Sequence, residues 1–184
     1  IQQNPRSDFT IILVQPDGER TILVVPIMPE LPPLTNQMKS ALHNSHIVYT
    51  ALYDYDWFMQ LASLLHPLQK LKNELMTLNV TKLAIDLEKN TISDTAITKK
   101  MLKEADYIFT DRSALKELYG QQSLLDSARE ILALGPEFVV VTKGEQGADV
   151  FTQMDSYTSK AYDVPVKDTS GAGDCFHAAF LYGL

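Results

Sequence analysis

Apolar residues run through this chain in two alternating rhythms. From residue 35 onward, short blocks rich in β-branched side chains (47–50, 82–87, 107–110, 138–142 and 148–152) predict strands. Between them lie stretches with apolar residues three or four apart (36–44, 57–78, 94–104, 113–119, 123–134 and 174–184), which predict helices. In the longest stretch Phe58, Leu61, Leu65, Leu68 and Leu75 fall largely on one face, and Pro67 is expected to kink or split it. Asp94 fits a helix N-cap, and Gly120 and Gly135-Pro136 fit helix stops. The chain opens differently. Two β-rich runs, 9–14 and 21–27, flank the turn residues Pro16-Asp17-Gly18-Glu19 and predict a hairpin. Pro26, Pro29, Pro32 and Pro33 then break regular structure.

This pattern divides the chain into a hairpin with a proline-rich linker (1–34) and an α/β body (35–184). Apolar strands separated by amphipathic helices call for a Rossmann-like three-layer α/β/α fold with a mostly parallel sheet, the hairpin serving as a lid or edge element. On such a sheet ligands bind beyond the carboxyl ends of the strands. The loops after Thr50, Leu87, Thr110 and Thr142, and the glycine turn before Asp174, are the places to look.

Composition changes this picture little: 45% of residues are hydrophobic and 21% charged, enough apolar surface for a core. The formal charge of -7 would repel nucleic-acid phosphates and argues against a general nucleic-acid role. No apolar run reaches membrane-spanning length. A single cysteine, Cys175, forbids an internal disulfide and favours a cytoplasmic setting. The chain starts at Ile1 and stops inside a predicted helix, so a fragment is expected.

Chemistry concentrates in Asp168-Thr169-Ser170-Gly171-Ala172-Gly173-Asp174. Two glycines around an alanine allow backbone angles that larger residues resist. The apolar run that follows makes this a helix start, where free N–H groups and the helix dipole form an anion site. Asp174 at its rim could accept a hydroxyl proton while Gly171, Ala172 and Gly173 stabilise a transferring charged group. The dipole would keep its carboxylate ionised. The same spacing also fits an ordinary helix cap behind a flexible turn.

That segment, continued by Cys175-Phe176, closely resembles the C-terminal signature of the ribokinase-like (pfkB-type) family of sugar and nucleoside kinases. The upstream Val140-Val141-Thr142-Lys143-Gly144-Glu145-Gln146-Gly147-Ala148 resembles that family's strand and Thr-x-Gly-x-x-Gly turn, in the right order. More loosely, Asp17-Gly18-Glu19-Arg20 resembles the turn of its early hairpin. The resemblance implies an ATP- and magnesium-dependent kinase of a small carbohydrate alcohol. Asp174 would be the base, and Gly171, Ala172 and Gly173 the anion hole. Thr142, Gly144 and Gly147 would lie along ATP, and Asp168 and Thr169 would position the turn and touch a monovalent cation. The hairpin lid would cover the sugar and could pair two subunits as a homodimer.

The resemblance is incomplete. Many members carry Asn-x-x-Glu after the strand ending at Thr110, where this chain reads Asp111-Arg112-Ser113-Ala114. Asp111 could organise metal-bound water and Arg112 could meet a phosphate, or both could be plain helix-start residues. Nothing in the chain resembles the family's N-terminal Gly-Gly-rich signature, so the isolated piece is expected to be inactive. Two other classes therefore stay open: a catalytically silent relative that binds nucleotide or a protein partner, and a nucleoside kinase.

Other residues carry plainer expectations. Cys175 reads as a packed thiol rather than a nucleophile with His177. His43 and His46 read as a surface pair. Asp56 is expected to cap the helix that sends Trp57 and Phe58 into the core. Lys143 fits either a phosphate contact or an exposed turn. No P-loop, Gly-x-Ser-x-Gly elbow or His-Glu-x-x-His zinc motif occurs in the sequence.

Overall fold

A computed structural model describes residues 9–14, 20–25, 31–66 and 81–184. The early hairpin forms as β1 (Phe9–Val14) and β2 (Arg20–Val25), antiparallel, with Ile12 opposite Ile22 and Ile11 opposite Leu23. The expected turn and residues 26–27 lie outside the described residues.

The body is a second sheet of six strands: β3 (Ile47–Ala51), β4 (Lys82–Leu87), β5 (Tyr107–Asp111), β6 (Phe138–Thr142), β7 (Ala148–Thr152) and β8 (Ser156–Ser159). They lie side by side in chain order. β3 to β6 are parallel, whereas β7 and β8 are antiparallel additions. The mostly parallel α/β sheet expected above is therefore present, together with the small separate hairpin sheet. β8 was not legible in the sequence: its residues are polar or exposed along their whole length, and it is held by its ladder to β7.

Helices α1 (Asn36–His43), α2 (Tyr55–Leu65), α3 (Thr95–Leu102), α4 (Arg112–Tyr119) and α5 (Leu124–Leu132) precede or link the strands, and α6 (Ala172–Tyr182) follows β8. Side chains capping helix starts follow one rule. The Thr35, Asp54, Asp94, Asp111 and Ser123 side chains each accept a backbone N–H of the first turn. Asp54, not Asp56, caps α2, accepting from the Trp57 amide at 2.7 Å. Phe58 is buried as expected, while Trp57 is half-buried and its indole N–H donates to the Pro32 carbonyl at 2.9 Å. α2 stops before Pro67, and the remainder of the predicted 57–78 helix lies outside the described residues.

Alternation along the strands sends side chains to two unlike faces. One face places Leu83, Ile85, Ile108, Val139 and Val141 against Phe58, Leu61, Leu102, Leu115 and Ile131 of α2 to α5, all essentially without solvent exposure. The other places Ala84, Tyr107, Phe109 and Val140 against Phe180 and Leu181 of α6. At roughly 1.5–3 kcal/mol per large buried apolar side chain, the first face is the main source of stability. The second ends in acidic residues: the same two-residue period that aims Ala84 and Phe109 at α6 puts Asp86 and Asp111 on that side at the carboxyl end of the sheet.

Candidate active site

Three strand ends and one helix start meet at the carboxyl edge of the six-stranded sheet. They enclose an open pocket of about 370 Å³. β4 contributes Asp86, Leu87 and the following Glu88; β5 contributes Thr110 and Asp111; β6 contributes Thr142. The turn before α6 and its first two turns supply Thr169, Ser170, Gly171, Gly173, Asp174 and His177. Ile12 and Ile22, a facing pair of the hairpin, close the apolar side. Among the described residues the strand order is sequential and shows no reversal at the crevice. The crevice is made by α6 arriving on the second face.

The glycine turn has a definite geometry. Gly171 holds φ at 73°, the left-handed region that favours glycine, and acts as the N-cap of α6. Asp168 Oδ1 accepts the Ser170 amide at 2.8 Å, and the Ala172 amide donates to the Thr169 carbonyl at 3.2 Å. Ala172 is thus turned back onto the loop. The amides of Gly173 and Asp174, in the first turn, have no helical acceptor and are the open donors of the cradle. A Cβ at Gly173 would meet nothing within 4 Å, so this flank of the turn is open space. The Asp174 side chain is exposed on the pocket rim rather than turned inward.

Two threonines tie the strand ends together. Thr110 Oγ1 donates to the Leu87 carbonyl at 3.0 Å, and Thr142 Oγ1 donates to the Thr110 carbonyl at 3.3 Å. Asp111 Oδ1 accepts both the Ala114 amide at 2.8 Å and the Ser113 hydroxyl at 2.7 Å, so one of its oxygens serves the cap of α4. The Arg112 guanidinium donates to Gln146 Oε1 at 2.6 Å, linking the loops after β5 and β6.

The turn after β6 is organised by backbone crowding. Gly144 and Gly147 both have positive φ, 59° and 88°, and neither lines the pocket. A Cβ at Gly147 would stand 1.9 Å from the Ser159 carbonyl oxygen, so glycine is required for β8 to pass. Lys143 is neither exposed nor aimed outward: it is largely buried and ion-paired with Asp149, which also accepts from Thr158. Cys175 is exposed, correcting the expected packed thiol, and His177 two residues on is buried. α6 packs on the sheet through Phe180 and His177, which leaves Cys175 on another face of the helix. His43 and His46 are exposed, as a surface pair would be.

Four carboxylates, Asp86, Glu88, Asp111 and Asp174, share the pocket, and none pairs with Lys or Arg among the described residues. Burial pushes the Glu88 carboxyl up, and the charges of Asp86, Asp174 and Asp111 add to this against an opposing Asn90 hydrogen bond. Among the described residues no three acidic, His or Cys side chains converge closely enough to hold a metal directly. Asp86, Glu88, Tyr49 and His177 were not singled out from the sequence for this site. The available signal was the position of Asp86 at the end of an apolar strand block.

The family model described as pfkB family carbohydrate kinase matches residues 1–184. Ribokinase from Staphylococcus aureus (strain COL) is 33% identical over 94 residues, which are 48% of this chain and 31% of that protein. Fructokinase from Rhizobium leguminosarum bv. trifolii is 36% identical over 94 residues, 50% of this chain and 28% of that protein. Among solved structures, Arabidopsis thaliana ribokinase complexed with ribose and ATP superposes with a TM-score of 0.75 at 20% identity, covering 97% of this chain and 56% of the other. Adenosine kinase from Sinorhizobium meliloti gives 0.74 at 22% identity, covering 96% and 54%. The chain thus spans about a third of the length of these curated relatives and about half of these solved chains.

Proposed function

Because this chain belongs to the pfkB family of carbohydrate kinases, we propose that its pocket transfers the terminal phosphoryl group of ATP to a hydroxyl of a small sugar or related carbohydrate. The supporting observation is the exposed Asp174 carboxylate beside the open Gly173 and Asp174 amides at the start of α6. The hydroxyl oxygen attacks the γ-phosphorus, the bond to the ADP oxygen breaks, and Asp174 takes the hydroxyl proton. The transition state is loose, so Asp174 acts chiefly by aiming the hydroxyl. The cradle amides receive the charge on the transferring group. Gly171 supplies the left-handed angle that sets the cradle, and the Ala172 amide locks it to Thr169.

In this reading Thr142 faces the phosphate chain, with Gly144 and Gly147 shaping the turn along the nucleotide. Asp168 and Thr169 brace the turn, where a monovalent cation would sit. Magnesium, arriving with ATP, would neutralise phosphate charge while Asp111 and its neighbours hold its waters. Ile12 and Ile22 cover the acceptor. The opposite hairpin face exposes Ile11, Leu13 and Leu23, which suits pairing with a second copy.

The test is Asp174→Asn in the complete protein. Turnover should fall at least ~100-fold, the usual scale for loss of a general base. Unchanged turnover removes Asp174 from this role. A second reading, a relative that binds nucleotide without turnover, draws support from Asp111-Arg112-Ser113-Ala114, where Arg112 is already engaged by Gln146. Calorimetric binding of magnesium-ATP with no ADP release on any sugar or nucleoside would favour it. The same panel separates a sugar acceptor from a nucleoside.

A further inference from the structure

Behind Asp174, one turn along α6, lies a hydrogen-bonded chain that the phosphotransfer reading does not use. The Tyr49 hydroxyl of β3 is 2.7 Å from Asp86 Oδ2 and 2.8 Å from His177 Nδ1. His177 Nδ1 and Asp86 Oδ2 are 3.5 Å apart, and both side chains are largely buried, 7% and 13% exposed. The imidazole packs on Phe109 at 4.6 Å between ring centroids and also touches Phe176. Its Nε2 is buried with no hydrogen-bond partner among the described residues.

Proton accounting fixes the direction of the chain. A phenol has one hydrogen to give. Burial and the neighbouring Asp86 carboxylate hold the Tyr49 hydroxyl far above its ordinary range, so the phenol keeps its hydrogen. Two oxygens 2.7 Å apart need a hydrogen between them, and an ionised carboxylate has none to offer. Tyr49 therefore donates to Asp86. Its oxygen must then accept from His177, which puts a hydrogen on Nδ1. Nε2 is buried with no acceptor among the described residues, so a hydrogen there would go unanswered. His177 is thus held as the Nδ1–H tautomer.

This arrangement occupies one oxygen of Asp86 and leaves Oδ1 without a partner among the described residues, on the pocket wall. We propose that His177 is a positioning residue: through Tyr49 it aims Asp86 so that its second oxygen receives an O–H donor bound in the pocket. The donor is a further hydroxyl of the phosphate acceptor or a water on the nucleotide's cation. The kinetic part of this inference rests on the phosphotransfer reading; the hydrogen-bond chain itself does not.

Two measurements on the complete protein test it. In ¹⁵N-histidine spectra at pH 8, His177, assigned by its loss in His177→Asn, should carry its hydrogen on Nδ1. An Nε2–H tautomer in the unaltered protein overturns the proposal whether or not turnover is seen. In kinetics, His177→Phe keeps the aromatic packing but removes the donor, and Tyr49→Phe removes the link. Each should lower kcat/KM about 10-fold, the scale for groups that orient a ligand-contacting residue, and the double variant should lose little more. His177→Asn, whose amide can replace the Nδ1 donor, should recover most of the loss. A raised acceptor KM identifies an acceptor hydroxyl, and a raised magnesium-ATP KM identifies the cation's water. Wild-type kcat/KM in a folded His177→Phe or Tyr49→Phe variant overturns the proposal. Failure of every acceptor to react, with the Nδ1 tautomer intact, sinks the phosphotransfer reading and leaves the chain standing.

Discussion

The two ends of the six-stranded sheet treat their acids in opposite ways. At the amino end, Lys82 begins β4, Asp106 precedes β5 and Glu137 precedes β6. Lys82 bridges both acids, the Leu83 amide donates to Asp106 at 2.9 Å, and His66, just past α2, lies 3.1 Å from the same carboxylate. Burial alone would raise the Asp106 carboxyl. The adjacent His66 imidazole, the Leu83 hydrogen bond and the Lys82 charge outweigh it and hold the group far below the carboxylate range. At the carboxyl end, Asp86, Glu88, Asp111 and Asp174 face one another without a Lys or Arg partner among the described residues, and the Glu88 carboxyl is pushed up instead. Like fold positions thus serve different purposes. Matched charge fastens strands together at one end, whereas like charge is crowded at the other, where the proposed function would have magnesium-ATP bring the balancing cation.

The contrast can be broken most severely at the amino end. Asp106→Ala strands the buried His66 and leaves Lys82 with Glu137 alone. It should cost about 3 kcal/mol, the lower end for an interrupted buried pair because Lys82 still reaches solvent. Urea unfolding monitors this. The sign of the pH dependence follows from the depressed carboxyl: its contribution is complete above the unfolded value near ~4 and disappears as pH falls through the folded value. Acid titration should therefore show a loss of stability below about pH 4 that is flatter in Asp106→Ala. A variant as stable as the parent would remove the fastening role.

Gly147→Ala probes the carboxyl side, where a turn is fixed by close backbone passage rather than charge. Its methyl would collide with the Ser159 carbonyl at a φ of 88°, and about 2 kcal/mol should be lost. Equal thermal midpoints would show that β8 can move aside freely. The smallest effect belongs to the acidic pocket. Glu88→Gln should stabilise the protein by about 0.5 kcal/mol at neutral pH, the scale of partly exposed charge interactions. A raised folded value means that stability from the neutral acid is present below the unfolded value and lost as pH rises through the folded one. The gain should accordingly vanish near pH 4, where the acid is largely protonated. A destabilised variant would contradict repulsion at this end.

Legibility in the sequence followed the locality of the signal. β4, β6 and β7 match the expected blocks to the residue, because apolar runs there are bounded by turn residues. α6 starts at Ala172, two residues before its expected start, since the Gly171 cap sits inside the motif. β8 offered no alternation to read. Asp174 and its glycines were visible because they are contiguous. Tyr49, Asp86 and His177 were not, because they come together over separations of 37 and 128 residues and depend on which face α6 covers. Lys143 was misjudged for a more local reason: its partner Asp149 lies across a hairpin whose register the sequence does not state.

One helix covers the second face of the sheet next to the pocket, and it is pinned by Phe180 against Phe109 and Phe138, each at 5.5 Å between ring centroids. Six residues, roughly 9 Å of helix, separate that pivot from Asp174. A tilt of only about 5° around the aromatic bearing would swing the carboxylate by nearly ~1 Å, a displacement on the order of 100-fold in rate when reactants must align. If Asp174 serves as proposed, trimming a ring six residues away would therefore detune the acid at the other end of the lever.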